Sequence, residues 1–575
     1  MNEFPAQNKD RWWWWALLLA VVAGASLRSY LLSAQVLIDD EWHGVYYVIG
    51  KSPLWLLTHF SIPGATCIPL NFYTWALAAS VGWTETLLRL PSWICGVGCI
   101  VAGPMLARKL VGSSRAAWLA WLLAASPLLI FYSRLCRPYS AVAFFGLAAV
   151  LCAAHWRQTG DRRSAAGFAI TSVLAVYFHL FAVVTVGAPV LAALAECAYG
   201  KWRAKPGAAV GKTTLQSWLL VVGGMTVVGA ILILPAMIHS LQTTFFNIAG
   251  AGSLTWQSLP RVASLMAGTG SPILIGLVGL LLVAGVVDQW RRDPWWAGTL
   301  LSLYPLHALA LLASRPDSAQ AAIVLVRYCI PLVPVSLLLV ACGLQAVLEW
   351  VGGRMALRPG LQVLMGGALV ALLISTGPLP QGYVAPNNFT SHGAFQHDYA
   401  TIDWHRSFRS ELTPPGSTLV TAIRVEEVSP FYGELAKAAN GRPIVEYPMM
   451  VGDHFNPFYY YQHFHRRPVI VGYASDVFLD RGLAPGNIYG DTYVDQILSL
   501  VKPATILRFR NMVDMDNLEA MRARQVEYVI LHKRFEADLP QVTLPLPDLS
   551  RLIQAYHQSL GAPVYEDSFI VAFRL

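Results

Sequence analysis

Three adjacent acids and an aromatic pair, Asp39-Asp40-Glu41-Trp42-His43, stand directly after the first long apolar run of the chain. Carboxylates are scarce in this sequence, and three together at the edge of an apolar run have two readings. In one they form a solvated loop with no chemistry. In the other they line a wet cavity, because acids facing hydrocarbon are costly. There, partial desolvation and neighbouring acids would raise the pKa of one of them towards that of a general base.

Cations stand at the ends of other apolar runs. They lie in Arg89-Leu90-Pro91-Ser92, in Tyr132-Ser133-Arg134-Leu135-Cys136-Arg137-Pro138-Tyr139, and in Arg327-Tyr328, with Pro331 one turn on. A planar guanidinium fork suits phosphate oxygens. Taken one at a time, each arginine is better explained by snorkelling towards lipid headgroups. His179, within Tyr177-Phe178-His179-Leu180, reads as either a structural or a site residue, and His307 reads as core. His463-Phe464-His465 has no acid or cysteine cluster at ligand spacing, so no metal site is assigned.

The elements that must carry these residues are apolar. Of 575 residues 55% are hydrophobic and 13% charged, about half the charge of an ordinary soluble domain. Such a chain is built for a bilayer. Its net charge of +8 sits in short loops between apolar runs, which argues against a nucleic-acid face and for membrane topology. The first run, opening on Trp12 to Trp15, reads as an uncleaved signal anchor. Ten more read as spans at about 90–107, 116–131, 138–156, 164–180, 181–198, 216–238, 271–289, 296–313, 325–348 and 361–378.

Ile68 to Gly82 is apolar but short. Placed at the outer surface, it leaves eleven spans with the N-terminus inside and sixteen basic residues inside against seven in short outer loops. That imbalance favours eleven spans. It also puts the arginine clusters on the face of the acid loop, which strengthens the case for a shared site.

From residue 380 the composition becomes that of a soluble domain. Gly382 to Asn388 reads as the exit linker. Thr418 to Ile423, Ile444 to Tyr447, Pro468 to Val471 and Glu527 to Leu531 are strand-like. Ser429-Pro430 opens a helix that Asn440-Gly441 can close, Asp548 to Gly561 is a capped helix, and Asp567-Ser568 turns a hairpin. All eight cysteines precede this domain, which therefore has no disulfide framework. The fold expected is a polytopic helical membrane domain, 1–379, with an extracytoplasmic α/β domain, 380–575.

The motifs, in order, resemble the glycosyltransferase C superfamily, in particular its dolichyl-phosphate-mannose protein mannosyltransferase-like and aminoarabinose transferase-like group. They are Asp40-Glu41, Pro69-Leu70-Asn71-Phe72-Tyr73, Arg89-Leu90-Pro91-Ser92, Tyr132-Ser133 with Arg137-Pro138-Tyr139, Tyr177-Phe178-His179, and Arg327-Tyr328-Cys329-Ile330-Pro331. Ile68-Pro69 departs from the paired proline of the family, and Asp39 is an extra acid before the pair.

The resemblance implies an inverting transfer from a polyprenyl-phosphate sugar donor at the outer face. The acceptor would be a hydroxyl of an envelope glycan, lipid or protein. It implies Asp40 and Glu41 as catalytic acids and Arg137, Arg327, Arg89 and Tyr139 at the donor phosphate. His43, His179 and Tyr328 are placed against substrate. No cofactor is required, and a divalent metal is left open. The expected setting is a bacterial inner membrane. Two alternatives stand beside this reading: an envelope glycan polymerase or ligase using a lipid diphosphate donor, and a transporter. A transporter would favour ionisable residues at the midplane and two related halves, and neither is visible here.

Overall fold

The computed structural model describes residues 11–30, 32, 41, 44, 48, 51–60, 67–81, 84–202, 212–241, 256, 258–316, 322–355, 359–377, 379, 428–438, 442–447, 464–465, 467, 518–523, 525–533 and 549–575. Asp39, Asp40, His43 and His463 lie outside them, as do the expected linker 382–388, the strands 418–423 and 468–471, and the helix stop 440–441. The chain divides into two compact units. One is Met1–Leu32, Ser52–Pro380 and Arg406–Phe408, and the other is Ser33–Lys51, Gln381–His405 and Arg409–Leu575.

The first unit is helical. Its elements are α1 (Arg11–Ser29), α2 (Pro53–Thr58), α3 (Ile68–Ser80), α4 (Glu85–Val111), α5 (Ser113–Ala125), α6 (Pro127–Ser133), α7 (Tyr139–Thr159) and α8 (Arg162–Phe178). After a single 3-10 turn, Leu180–Ala182, come α9 (Val183–Trp202), α10 (Leu215–His239), α11 (Ser258–Ala267), α12 (Pro272–Arg292) and α13 (Pro294–Ser314). The unit ends with α14 (Ala322–Cys329), α15 (Leu332–Met355) and α16 (Pro359–Thr376).

The boundaries follow from local chemistry. Proline opens α2, α6, α12 and α13 at positions where no N–H is needed. Side chains of Thr84, Asp161, Thr214 and Asp293 accept hydrogen bonds from the first turns of α4, α8, α10 and α13.

Among the described residues, seven helices are long and apolar enough to cross a bilayer, and the α5–α6 pair, bent by 58°, would make an eighth. The other runs expected to span, in α1, α8 and α16, are helical as well. The tryptophans dilute α1, and α8 has only 17 residues. At 13 residues α3 is about 20 Å long, short of a hydrocarbon core of about 30 Å, so it cannot cross alone.

Packing inside the unit relies on small residues where backbones meet. A Cβ added at Gly285 of α12 would collide with the carbonyl of Leu339, and one at Gly343 of α15 with the carbonyl of Leu281. This close crossing gives dispersion contact that hydrocarbon solvent cannot mimic.

One end of the bundle is tied by charge. Arg115 at the start of α5 makes a two-pronged contact with Asp288 of α12, Nε–Oδ2 3.0 Å and Nη2–Oδ1 3.1 Å. It also donates to Glu349 of α15 at 3.1 Å, while Arg292 reaches Asp288. Beside them, Arg157 of α7 pairs with Glu196 of α9 and with Asp293.

The second unit contains a four-stranded mixed sheet, made of β1 (Ile444–Tyr447), β2 (Tyr528–His532), β3 (Tyr565–Glu566) and β4 (Ile570–Arg574), in the order β1-β2-β4-β3. β1 and β2 run parallel, and β4 is antiparallel to both β2 and β3. Its helices are α17 (Phe431–Lys437), α18 (Leu518–Ala523) and α19 (Leu549–Leu560). The β3–β4 hairpin turns where Asp567 Oδ1 accepts the N–H groups of Phe569 and Ile570. Gly561 ends α19 with φ +86°, a conformation costly for other residues. α17 stops at Lys437, before the expected Asn440-Gly441, because the backbone turns extended at Ala438, with φ −77° and ψ 117°. Phe431 of α17 stacks on Tyr565, and Tyr556 of α19 on Phe573.

Glu446 of β1 is buried and charged. It accepts from Tyr432 Oη at 2.5 Å, its Oε1 is 3.2 Å from His532 Nε2, and its Oε2 is 3.7 Å from His465 Nε2. The His465 Nδ1 accepts the Arg467 N–H, so the ring hydrogen faces Glu446 from Nε2. Burial opposes ionisation of Glu446, but the two histidines outweigh it and hold the carboxyl down at about 2.

Two outcomes are expected. Gly285→Val or Gly343→Val forces the α12 and α15 backbones apart and should destabilise the bundle by about 1–3 kcal/mol or more, read by denaturant titration in detergent; unchanged stability would mean the helices do not meet there. A carboxyl lowered on folding stabilises fully above its unfolded value of 4.5 and loses that contribution as pH falls towards 2. Hydrogen exchange at β1 and β2 should therefore accelerate between pH 5 and pH 3, after correction for intrinsic exchange, and Glu446→Gln should flatten that dependence. Equal protection at both pH values in the unaltered protein would contradict the buried-charge account.

Candidate active site

The opposite end of the bundle is built around the start of α7. Pro138 precedes its first residue with φ −71°, a value its ring favours, and Ser92 of α4 donates from Oγ to the Arg137 carbonyl at 2.9 Å. These two constraints fix the backbone from which Arg137 and Tyr139 project. Both side chains are buried.

Rings and cations then meet. The Arg137 guanidinium carbon lies 5.8 Å from the centre of the Tyr139 ring, and that of Arg327, from α14, lies 5.9 Å from the same ring. Tyr132 at the end of α6 packs 4.8 Å from Tyr139, and His179, after α8, packs 6.1 Å from it. His179 in turn meets Tyr328 edge-on at 6.1 Å. Phe181 in the 3-10 turn meets Tyr328 at 5.4 Å and His307 of α13 at 5.8 Å. Five expected site residues, Arg137, Arg327, Tyr139, His179 and Tyr328, are thus brought together from three parts of the sequence.

Hydrogen bonds assign both histidine rings. His179 caps the 3-10 turn, its Nδ1 accepting the Phe181 N–H at 3.3 Å. The accepting nitrogen carries no hydrogen, so the neutral ring presents Nε2–H as a donor. His307 is the reverse. Its Nδ1 lies 2.7 Å from the Leu303 carbonyl and must donate, so Nε2 accepts from Thr185 Oγ1 at 3.3 Å.

Arg89 is tied to the end of the α1 segment, donating from Nη1 to the Leu32 carbonyl at 3.2 Å, and it is wholly buried. Two neighbours of the site act as braces. Arg28 of α1 donates to Ser133 Oγ and to the carbonyls of Gly24, Leu123 and Ala124. Arg134 donates to the carbonyls of Arg28 and Tyr30. Four carbonyls outside helical pairing find donors this way, which is worth much in a medium without water. In the second unit, Glu41 is fully buried. Asp40 and His43 lie outside the described residues.

Sequence reasoning passed over Phe181, the brace Arg28, and the acids of the far end. The signal for Phe181 was present, since Tyr177, Phe178 and Phe181 crowd the same turn as His179. Nothing local marks Arg28, a lone cation at the end of an apolar run. Among the described residues, no group of three or more His, Cys, Asp or Glu is placed to hold a metal ion.

No protein-family model matches the chain, and no curated protein matches it in sequence. Among solved structures it is similar to ArnT from Cupriavidus metallidurans in the apo state, with 14% identity over 98% of this chain and 97% of that one, at a TM-score of 0.49. Against the same protein bound to undecaprenyl phosphate, identity is 14%, coverage 98% of each chain, and the TM-score 0.48. It is also similar to the Archaeoglobus fulgidus oligosaccharyltransferase AglB, at 13% identity, 91% and 70% coverage and a TM-score of 0.41. A further likeness is to the arabinofuranosyltransferase AftD from Mycobacteria, at 14%, 98% and 41%, with a TM-score of 0.47.

Proposed function

We propose that this chain is an inverting membrane glycosyltransferase that moves a sugar from a polyprenyl-phosphate donor to a hydroxyl of an envelope glycan, lipid or protein. The observation that carries the reading is the convergence of Arg137 and Arg327 on one tyrosine ring, at one end of a membrane bundle, beside a histidine that donates from Nε2. Two guanidiniums brought to one place at the end of a membrane bundle act strongly on an anion, because the surroundings screen them little. A phosphate monoester attached to a long lipid tail is the anion that a membrane supplies at that position.

The residues then take these roles. Asp40 accepts the proton of the acceptor hydroxyl as its oxygen attacks the anomeric carbon from the face opposite the phosphate. The carbon–oxygen bond to phosphate breaks, the configuration inverts, and polyprenyl phosphate leaves with the bonding electrons. Arg137 and Arg327 stabilise the charge that gathers on that phosphate, which therefore needs no proton. Glu41 tunes Asp40 or orients the acceptor. His179, Tyr328 and His43 bind the sugar or the phosphate, and Arg89 supports the arginine-bearing segments from its buried position. A bacterial inner membrane with the C-terminal domain outside is the setting this chemistry fits.

Transfer of a radiolabelled sugar from polyprenyl phosphate to a membrane acceptor tests the reading. Arg137→Ala and Arg327→Ala should each lose a charge-assisted contact of about 1.5–3 kcal/mol, raising KM for the donor roughly tenfold or more, and lysine should restore only part because the fork is lost. Asp40→Asn should lower kcat by about 10²–10⁴-fold while donor binding persists. Activity unchanged in all three variants would remove the basis for an enzyme. A dead Asp39→Asn beside an active Asp40→Asn would move the base by one residue.

A further inference from the structure

Tyr139 meets both arginines through its ring. Its ring lies 5.8 Å from one guanidinium carbon and 5.9 Å from the other, and it packs against Tyr132 and His179. Its hydroxyl makes no hydrogen bond among the described residues. The side chain is 5% exposed and springs from the first position of α7, directly after Pro138. Its two cationic partners come from segments 190 residues apart, one beside it in sequence and the other at the end of α14.

We propose that Tyr139 is a positioning residue whose ring, and not its hydroxyl, sets the two arginines for a phosphate monoester. This rests on the phosphate reading given above and assigns Tyr139 a role within it. Two like charges repel, and an aromatic face beside both lowers the cost of keeping them near one place. The negative face of an aromatic ring does so by attraction to each cation. It consumes no N–H donor, and it brings no anion that a phosphate would have to displace. The guanidinium plane keeps the fork geometry that suits phosphate oxygens. Tyr132 and His179 fix the ring on its own side, so the arginines inherit an orientation rather than searching for one. Pre-set donors lose less freedom when the ligand binds.

The test uses the full chain in lipid nanodiscs and farnesyl phosphate, a short polyprenyl phosphate without sugar, with affinity measured by calorimetry. Tyr139→Phe should bind within about twofold of the unaltered protein, whereas Tyr139→Leu should bind roughly tenfold more weakly, as loss of a desolvated cation–ring attraction implies. Arg137→Ala should cost less in the Leu background than alone, because the ring that positioned it has gone. Fluorinated phenylalanines at 139 keep the ring's shape while draining its face of negative charge. Affinity should fall stepwise with each fluorine, an effect that a purely structural role would not produce.

The proposal is overturned if Tyr139→Phe is as weak as Tyr139→Leu, since the hydroxyl would then be the contact. It is also overturned if the fluorinated series binds uniformly, and that series still decides if the leucine variant fails to fold. If instead Arg137→Ala and Arg327→Ala both bind farnesyl phosphate normally, the phosphate reading itself fails, a result separate from any seen at Tyr139.

Discussion

The distance between two polar belts governs this molecule. Three stretches run from the ring cluster at one end of the bundle to the ion pairs at the other: α7 from Tyr139 to Arg157, α9 with its preceding turn from Phe181 to Glu196, and the end of α14 with α15 from Tyr328 to Glu349. Along α7 those two residues are about 27 Å apart at the rise of an α-helix, close to the thickness of a hydrocarbon core. Charge is confined to the two ends because the middle has no water to solvate it. Everything between must satisfy itself by helical hydrogen bonds and close packing, which is why glycines meet at the α12–α15 crossing.

The two belts use charge differently. At the ion-paired end, Arg115, Arg157 and Arg292 each face carboxylates, so cation and anion neutralise one another and tie five helices together. At the other end, Arg137 and Arg327 face an aromatic ring. A ring attracts a cation but does not cancel its charge. The first arrangement closes a structure, and the second gathers two cations about one aromatic face. Arg28 and Arg134 make a third case, in which guanidinium donors serve carbonyls near the site and hold its walls.

The second unit solves a related problem inside a small sheet. Glu446 is a carboxylate inside a sheet domain, kept charged by Tyr432, His465 and His532 rather than by solvent. Removing any one partner leaves a buried charge short of a donor, a costlier fault than the loss of an exposed pair. The histidine pair that looked faintly metal-like in sequence supplies one of these partners, since His465 faces an acid from a distant strand.

Much of this was legible in the sequence because bilayer insertion and helix formation are local. Apolar runs of sufficient length, proline and Thr or Asp caps, and the hairpin signal at Asp567-Ser568 depend on neighbours a few residues away, and the runs expected to span are helical, although 116–131 is divided between α5 and α6 and 325–348 between α14 and α15. The types of the site residues were also readable, since arginine, tyrosine and histidine at the ends of apolar runs are conspicuous where charge is rare. Their convergence was not. Arg137 and Arg327 meet one ring because the start of α7 and the end of α14 come together in the fold, and no spacing along the chain encodes that. The same holds for Arg115 with Asp288 and for Glu446 with His532. The sequence alone determined which residues could do chemistry and which segments could cross a membrane. Tertiary packing decided which cations were paired with acids and which were set against a ring, because pairing depends on distances that exist only once the helices have met.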